Sequence, residues 1–188
     1  MQKVEDKYFN YSPRALWLRA IVLGGLEGLA SSVVMMMGIG MFTKDNKVIL
    51  LTSFTSLVAA SMNLAIAEFV SVYAQYDIMM FQAKRDLAVG RDGGKGMVPS
   101  PTVVAVAASA TYFVCGSVPL LSGFIGDPKW RSLVATMVAS FLLIVVGVIG
   151  AALGKVPVAR SCLRLLLGGW LTISIIWGKN YVLGYIGI

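Results

Sequence analysis

The sequence predicts an all-α integral membrane protein with five transmembrane helices per subunit, and two observations carry that prediction. The chain is 57% hydrophobic and 13% charged over 188 residues, with a mean hydropathy of +0.80. A soluble domain of this size is about 45–50% apolar and about 25% charged. The apolar residues are also gathered into five long runs, each near the roughly 20 residues that a spanning helix needs.

The first run is Leu16 to Met41, interrupted by Arg19 near its start and by Glu27 inside. The polar turn Thr43-Lys44-Asp45-Asn46-Lys47 separates it from the second run, Val48 to Tyr73, which carries Asn63, Glu68 and several hydroxyls. The third is Thr102 to Ile125, with Pro119 bending its end, because proline lacks the N–H that a helix interior uses. The fourth, Leu133 to Leu153, follows Gly126-Asp127-Pro128-Lys129, and the fifth, about Cys162 to Ile186, follows Gly154-Lys155-Val156-Pro157. Residues 1–15 read as an N-terminal tail and 16–188 as the transmembrane domain, with a short connector at about 76–101. Asp77 to Leu87 is expected to extend the second helix beyond the membrane. Gly90, Gly93, Gly94, Gly96, Pro99 and Pro101 then break regular structure.

Charge supplies the orientation. Formal net charge is +7, which in a soluble protein points to nucleic acid. Here the basic residues sit mostly between apolar runs, so topology explains them better and no nucleic-acid partner is expected. Eleven Lys and Arg fall on the side of the N-terminal tail and the two-to-three and four-to-five connections, and five on the other. By the positive-inside rule the N-terminus is cytosolic, and five spans place the C-terminus across the membrane, in the lumen. Arg14 and Arg19 are expected to snorkel to headgroups, and Lys179 either to reach the far interface or to pair with an acid. The first 14 residues are polar and mixed in charge, with no apolar core of a signal peptide. The first helix is therefore expected to act as its own insertion signal.

Catalytic chemistry has little to stand on. The chain has no histidine, so neither a Ser-His nor a Cys-His pair can form within it, and it shows no cofactor motif. Cys115 and Cys162 are far apart and outside any CxxC context, which reads as small apolar fillers rather than a zinc or redox site. The expectation is a non-enzymatic membrane protein with no resident cofactor.

Two carboxylates lie well inside apolar runs: Glu27 and Glu68. An acid at the bilayer centre costs about 2.5–3.5 kcal/mol even on insertion scales, and such residues persist where they face a cavity, a partner or an ion path. Glu27 lies roughly 16 Å along the helix from Leu16, near mid-membrane, and Glu68 lies closer to the cytosolic end of helix two. At helical spacing, Gly24, Glu27, Ser31 and Met35 share one stripe of helix one. Ser61, Leu64, Glu68, Ser71 and Gln75 share a stripe of helix two. Together these stripes offer oxygen ligands, hydroxyls and a thioether, a set that can pass a divalent cation without holding it tightly. The same carboxylates can exchange protons. Each Glu can instead bond Ser or Asn on a neighbouring helix and simply hold the bundle together. Gly24-xxx-Gly28 is a close-packing signature. Of Met35-Met36-Met37, which point three ways around a helix, only Met35 is considered as a metal ligand.

Beyond these physical readings, the chain resembles the vacuolar iron transporter-like proteins of plants, the nodulin-21 group. The resemblance is carried by Tyr11 to Ala20 with Leu23-Gly24 and Glu27-Gly28-Leu29, then Met36 to Gly40, and Ala67 to Tyr73 with Gln75 and Asp77. Pro119-Leu120-Leu121, Gly147 to Ala151 and Gly168-Gly169-Trp170 continue it in register. It implies a homodimer of five-helix subunits that moves ferrous iron, with manganese as a second candidate, from cytosol into a vacuole or related compartment in exchange for protons. It also implies a path near the dimer interface that uses carboxylates and a methionine from helices one and two. On that basis Glu27, Glu68 and Met35 are metal candidates. Glu27, Glu68, Ser31, Asn63 and Leu64 are path or proton-coupling candidates.

Three departures from the pattern matter. The family's Asn-Asp-Gly is here Leu26-Glu27-Gly28, so the acid is one methylene longer. The family's Ser-Met in helix two is here Asn63-Leu64, so the thioether is missing. Met62 does not replace it, because two residues along a helix points about 200° away. The glycine before the family's glutamate is here Ala67. The alternative expectation is therefore a relative with lost transport or altered cargo that acts as a membrane scaffold or regulator.

Overall fold

The computed structural model describes residues 12–89, 100–154 and 157–186, and these fold into five long α-helices, with no strand among them. They are α1 (Ser12–Phe42), α2 (Asn46–Ala88), α3 (Pro101–Leu120), α4 (Pro128–Gly154) and α5 (Val158–Ile186). All five are long and apolar enough to cross a membrane. The N-terminal tail, the connector glycines Gly90 to Gly96 and the Lys155-Val156 turn lie outside the described residues.

Each element follows from local chemistry. Proline is tolerated in a first turn, where no helical partner is lost. α1 accordingly begins at Ser12-Pro13, four residues before the apolar run itself, and α3 opens with Pro101 directly after its N-cap Ser100. α3 ends at Leu120 rather than Ile125, because Pro119 removes a backbone donor and the chain tightens into a 3-10 turn over Leu121–Phe124. Asp45 caps α2, its Oδ1 accepting the Lys47 N–H at 2.9 Å, and Asp127 caps α4 through the Lys129 N–H at 2.9 Å. The expected extension of helix two is present as one continuous helix of 43 residues. At 1.5 Å per residue it is about 64 Å long, roughly twice the hydrocarbon thickness of a bilayer.

α1 is the central helix: it packs against each of the other four. Half of its membrane-length stretch (50%) is buried within the chain, against 17% for α5. Leu29 and Val33 of α1 form one core cluster with Ala135, Ala139 and Leu143 of α4 and Ile173 of α5. Two further clusters lie between α1, α2 and α3, around Ala20, Val72, Val104 and Ala108, and around Met36, Leu57, Tyr112 and Leu120.

The closest approach is between α1 and α3. A methyl group added at Gly24 would overlap the Ala108 carbonyl oxygen, and one at Gly28 would overlap that of Tyr112. Gly116 sits one turn further along α3, where a Cβ would come within 2.9 Å of the Gly28 carbonyl oxygen. Small residues permit such backbone contact, the main source of helix cohesion where lipid offers no hydrophobic drive. Gly24 and Gly28 are thus occupied inside the subunit, leaving no glycine groove on that face for a second copy.

Candidate functional site

The two intramembrane carboxylates have different surroundings. Glu68, on α2, is buried at 5% relative exposure. Its Oε2 lies 3.1 Å from Arg19 Nη2 and its Oε1 3.4 Å from the same nitrogen. Arg19, expected to snorkel to headgroups, instead ties α1 to α2 in the one ion pair among the described residues. Burial explains the correction: a desolvated carboxylate on an inner helix face recruits the nearest cation, and Arg19 is half exposed and long enough to reach it.

Glu27 lies eight residues further along α1, about 12 Å up the axis. It is exposed on the outer face of the subunit, with no hydrogen bond or ion pair among the described residues. Met35, two turns beyond it on the same stripe, is also exposed, at 39%. The stripe of helix one therefore splits. Gly24 turns into the α3 contact, while Glu27 and Met35 face outward.

Between these faces, Ser31 is half buried, and its hydroxyl meets the Tyr112 hydroxyl at 2.6 Å. Tyr112 was not singled out from the sequence; its signal was a lone phenol in the middle of an apolar run, which needs a partner when buried. Ser32 donates to the Gly28 carbonyl at 2.8 Å. A cleft of about 140 Å³ opens beside these groups, lined by Ser31, Ser32, Ser53, Ser56 and Tyr112 and by the apolar Met35, Leu57 and Ala60.

The helix-two candidates divide in the same way. Leu64 is half buried and packs against two of the apolar clusters between α1, α2 and α3. Asn63 and Met62 are exposed. No group of three or more His, Cys, Asp or Glu that could hold a metal forms among the described residues. Arg131, which the sequence does not single out, is buried at the end of the bundle near the α1–α2 turn. Its Nη1 donates to Asn46 Oδ1 at 3.0 Å, and Nη2 lies against Gly40. Lys179 is exposed and makes no ion pair among the described residues. Both cysteines are free and partly buried.

Sequence comparison now decides the family. The profile described as the VIT family matches residues 18–91 and 80–179, which together cover nearly all of the chain. The chain belongs to the VIT family. It is similar to vacuolar iron transporter homolog 4 of Arabidopsis thaliana, 42% identical over 100% of this chain and 94% of that protein. Vacuolar iron transporter homolog 3 of the same plant is 43% identical over 98% and 92% of the respective chains. VIT-like transporter 1b of Glycine max is 40% identical over 93% and 80%. No solved structure matches the chain. The match extends over most of the length of each of these relatives.

Proposed function

We propose that this VIT family protein moves ferrous iron from cytosol into a vacuole or related compartment, with manganese as a second cargo and protons exchanged in return. The relatives named as vacuolar iron transporter homologs support the cargo and the compartment. The observation that carries the mechanism is Glu27: a carboxylate near mid-membrane, without a partner among the described residues, on the exposed face of the central helix. A charge there is costly against lipid. The cost is removed if a second copy covers this face, so that two Glu27 side chains from a homodimer line one polar path.

In this reading the cation approaches near the Arg19–Glu68 pair, is drawn to Glu27, and leaves toward the α1–α2 turn, where Met35 and the serine hydroxyls offer weak ligands. While Arg19 holds Glu68, that carboxylate is not a free ligand, so Glu27 carries the main charge on the path. Protonation of Glu27 from the acidic compartment removes its charge and releases the metal. No resident cofactor and no covalent chemistry are invoked. The N-terminus is cytosolic and the C-terminus lumenal, as the distribution of basic residues supports.

A second reading is favoured by one observation. Leu64 stands where the family pattern has methionine, and it is packed in apolar clusters. A leucine cannot coordinate metal, so the chain is alternatively a relative that no longer transports iron and acts as a membrane scaffold or regulator.

The deciding experiment is ferrous iron uptake into liposomes with an acidic interior, comparing wild type with E27Q and adding manganese as competitor. Uptake that needs both the pH gradient and Glu27 supports proton-coupled transport. Native-rate uptake by E27Q would sink the role of Glu27, and no uptake by folded, correctly oriented wild type would favour the scaffold.

A further inference from the structure

The Arg19–Glu68 ion pair is not shaped like a permanent cross-link. A guanidinium that clamps a carboxylate does so as a fork, with two nitrogens each on its own oxygen, at about 2.7–2.9 Å. Here the single nitrogen Nη2 serves both oxygens, at 3.1 Å and 3.4 Å. Nε and Nη1 of Arg19 donate to no group among the described residues. The contact is also lopsided: the Arg19 side chain is half exposed, while that of Glu68 is buried. Arg19 lies roughly two turns from the start of α1, within reach of headgroups and water at that end of the bundle. The guanidinium is therefore partly solvated where it stands and gives up little when it swings outward.

Glu68 has no such freedom. Its only hydrogen bonds among the described residues are the two from Arg19. Ala20, next to Arg19, and Val72, one turn along α2 from Glu68, are fully buried in a cluster with Val104 and Ala108, against which Leu64 packs. A buried carboxylate beside such a cluster must be paired or bind a metal ion, so whatever takes the place of Arg19 brings positive charge. Both oxygens already converge on one point, the position of Nη2, as they do when a carboxylate holds a cation in bidentate fashion. A divalent cation brings twice the guanidinium charge to that point. A monovalent cation brings no more charge than Arg19, and it competes against a group that its own chain holds nearby at an effective concentration of about millimolar.

We propose that Arg19 is a tethered competitor, which occupies the Glu68 carboxylate until a divalent cation displaces it and so selects entering ions by charge. The proposal rests on the transport reading above and gives Arg19 a specificity role within it. The guanidinium swings out while α1 and α2 stay packed through Ala20 and Val72. Loss of Arg19 then has two opposite effects: the fold weakens, and cation binding at Glu68 strengthens. A pair that only held the helices together would show the first effect without the second.

The test uses the full wild-type chain in lipid nanodiscs, the arginine reagent phenylglyoxal, and mass spectrometry to follow each arginine separately. Arg85, exposed on the far end of α2, is the internal control. Millimolar Mn²⁺ is expected to speed modification of Arg19 several-fold and to leave Arg85 unchanged. In E68Q the Arg19 reaction should be fast from the start and indifferent to Mn²⁺. Potassium chloride at matched ionic strength should not reproduce the effect. Equal acceleration by potassium chloride would reduce it to salt screening and overturn the proposal, as would an Arg19 rate that ignores Mn²⁺. Binding of Mn²⁺, read from the electron paramagnetic resonance of the free ion, is the second measurement. R19Q is expected to bind about tenfold more tightly than wild type, and R19Q/E68Q to lose that gain; unchanged or weaker binding by folded R19Q would overturn the competitor role. The labelling is read on wild type, so it stands whether or not R19Q folds. Neither measurement requires turnover. Iron uptake without release of Arg19 refutes this proposal alone, and release with tighter binding in a protein that carries no iron refutes only the transport reading.

Discussion

Arg19 Nη2 lies 3.1 Å from Glu68 Oε2, joining two residues 49 positions apart on neighbouring helices. The two ends of this contact differ: the Arg19 side chain is 49% exposed and that of Glu68 7%. A single guanidinium thus balances the buried acid while remaining accessible from outside the bundle. The pair converts what reads in the sequence as an isolated intramembrane charge into a cross-link between α1 and α2, and it leaves Glu27 as the intramembrane carboxylate without a partner among the described residues.

Removing Arg19 leaves a buried carboxylate uncompensated, which costs about 1–3 kcal/mol. R19A is therefore expected to lower the Tm of the purified protein clearly. E68Q, which keeps a neutral hydrogen-bonding group in place, is expected to lower it less. In the R19A/E68Q double variant the two losses should not add, since the residues share one interaction. Additive losses in melting curves of the three variants would show that the pair does not bear on stability.

The contrast between these acids marks where the sequence was legible. Five apolar runs, the Asp45 and Asp127 turns and the extension of α2 beyond its apolar run are local properties, written in hydropathy and capping residues, and the helices follow them. The inner stripe of α2 was readable from helical spacing: Ser61 and Glu68 are buried and Leu64, Ser71 and Gln75 partly so. The partner of Glu68 was not readable, because pairing across 49 residues depends on how α1 and α2 dock. Tyr112 and the burial of Arg131 were missed for the same reason. Each looks ordinary on its own helix and acquires its role only when three helices meet.

The glycines of α1 make a sharper stability test. A Cβ at Gly28 would run into the Tyr112 backbone, whereas at Gly168 nothing lies within 4 Å. Gly28→Ala is expected to lose about 1–3 kcal/mol by forcing α1 from α3. Gly168→Ala is expected to be neutral or to gain up to about 1 kcal/mol from helix propensity. Melting temperatures measured side by side check the ranking; equal effects would contradict the close crossing of α1 and α3.

If a second copy covers the face that carries Glu27, residues on that stripe meet their symmetry mates. With Cys115 and Cys162 replaced by alanine, E27C and M35C are expected to form disulfide-linked dimers on mild oxidation in membranes. Val103, on α3 and also exposed, supplies the V103C control, which should remain monomeric. Gel mobility without reductant gives the answer. Cross-linking at neither stripe position would remove the argument that a homodimer shelters Glu27.

Leu64 separates a weakened transporter from a protein with another role. It is half buried among apolar neighbours, and leucine and methionine have similar volumes, so L64M should cost less than about 1.5 kcal/mol and leave the fold intact. The substitution adds a polarizable thioether one turn from Glu68, between the Arg19–Glu68 pair and the level of Glu27. For a transporter limited by its missing soft ligand, iron uptake into acidic liposomes should rise several-fold in L64M and fall again in L64M/E27Q. Iron should gain more than manganese, because sulfur favours the softer metal. A folded L64M protein with no uptake at all would shift the weight to the scaffold reading. A rise that survives E27Q would mean that the cation follows a route on which Glu27 has no part.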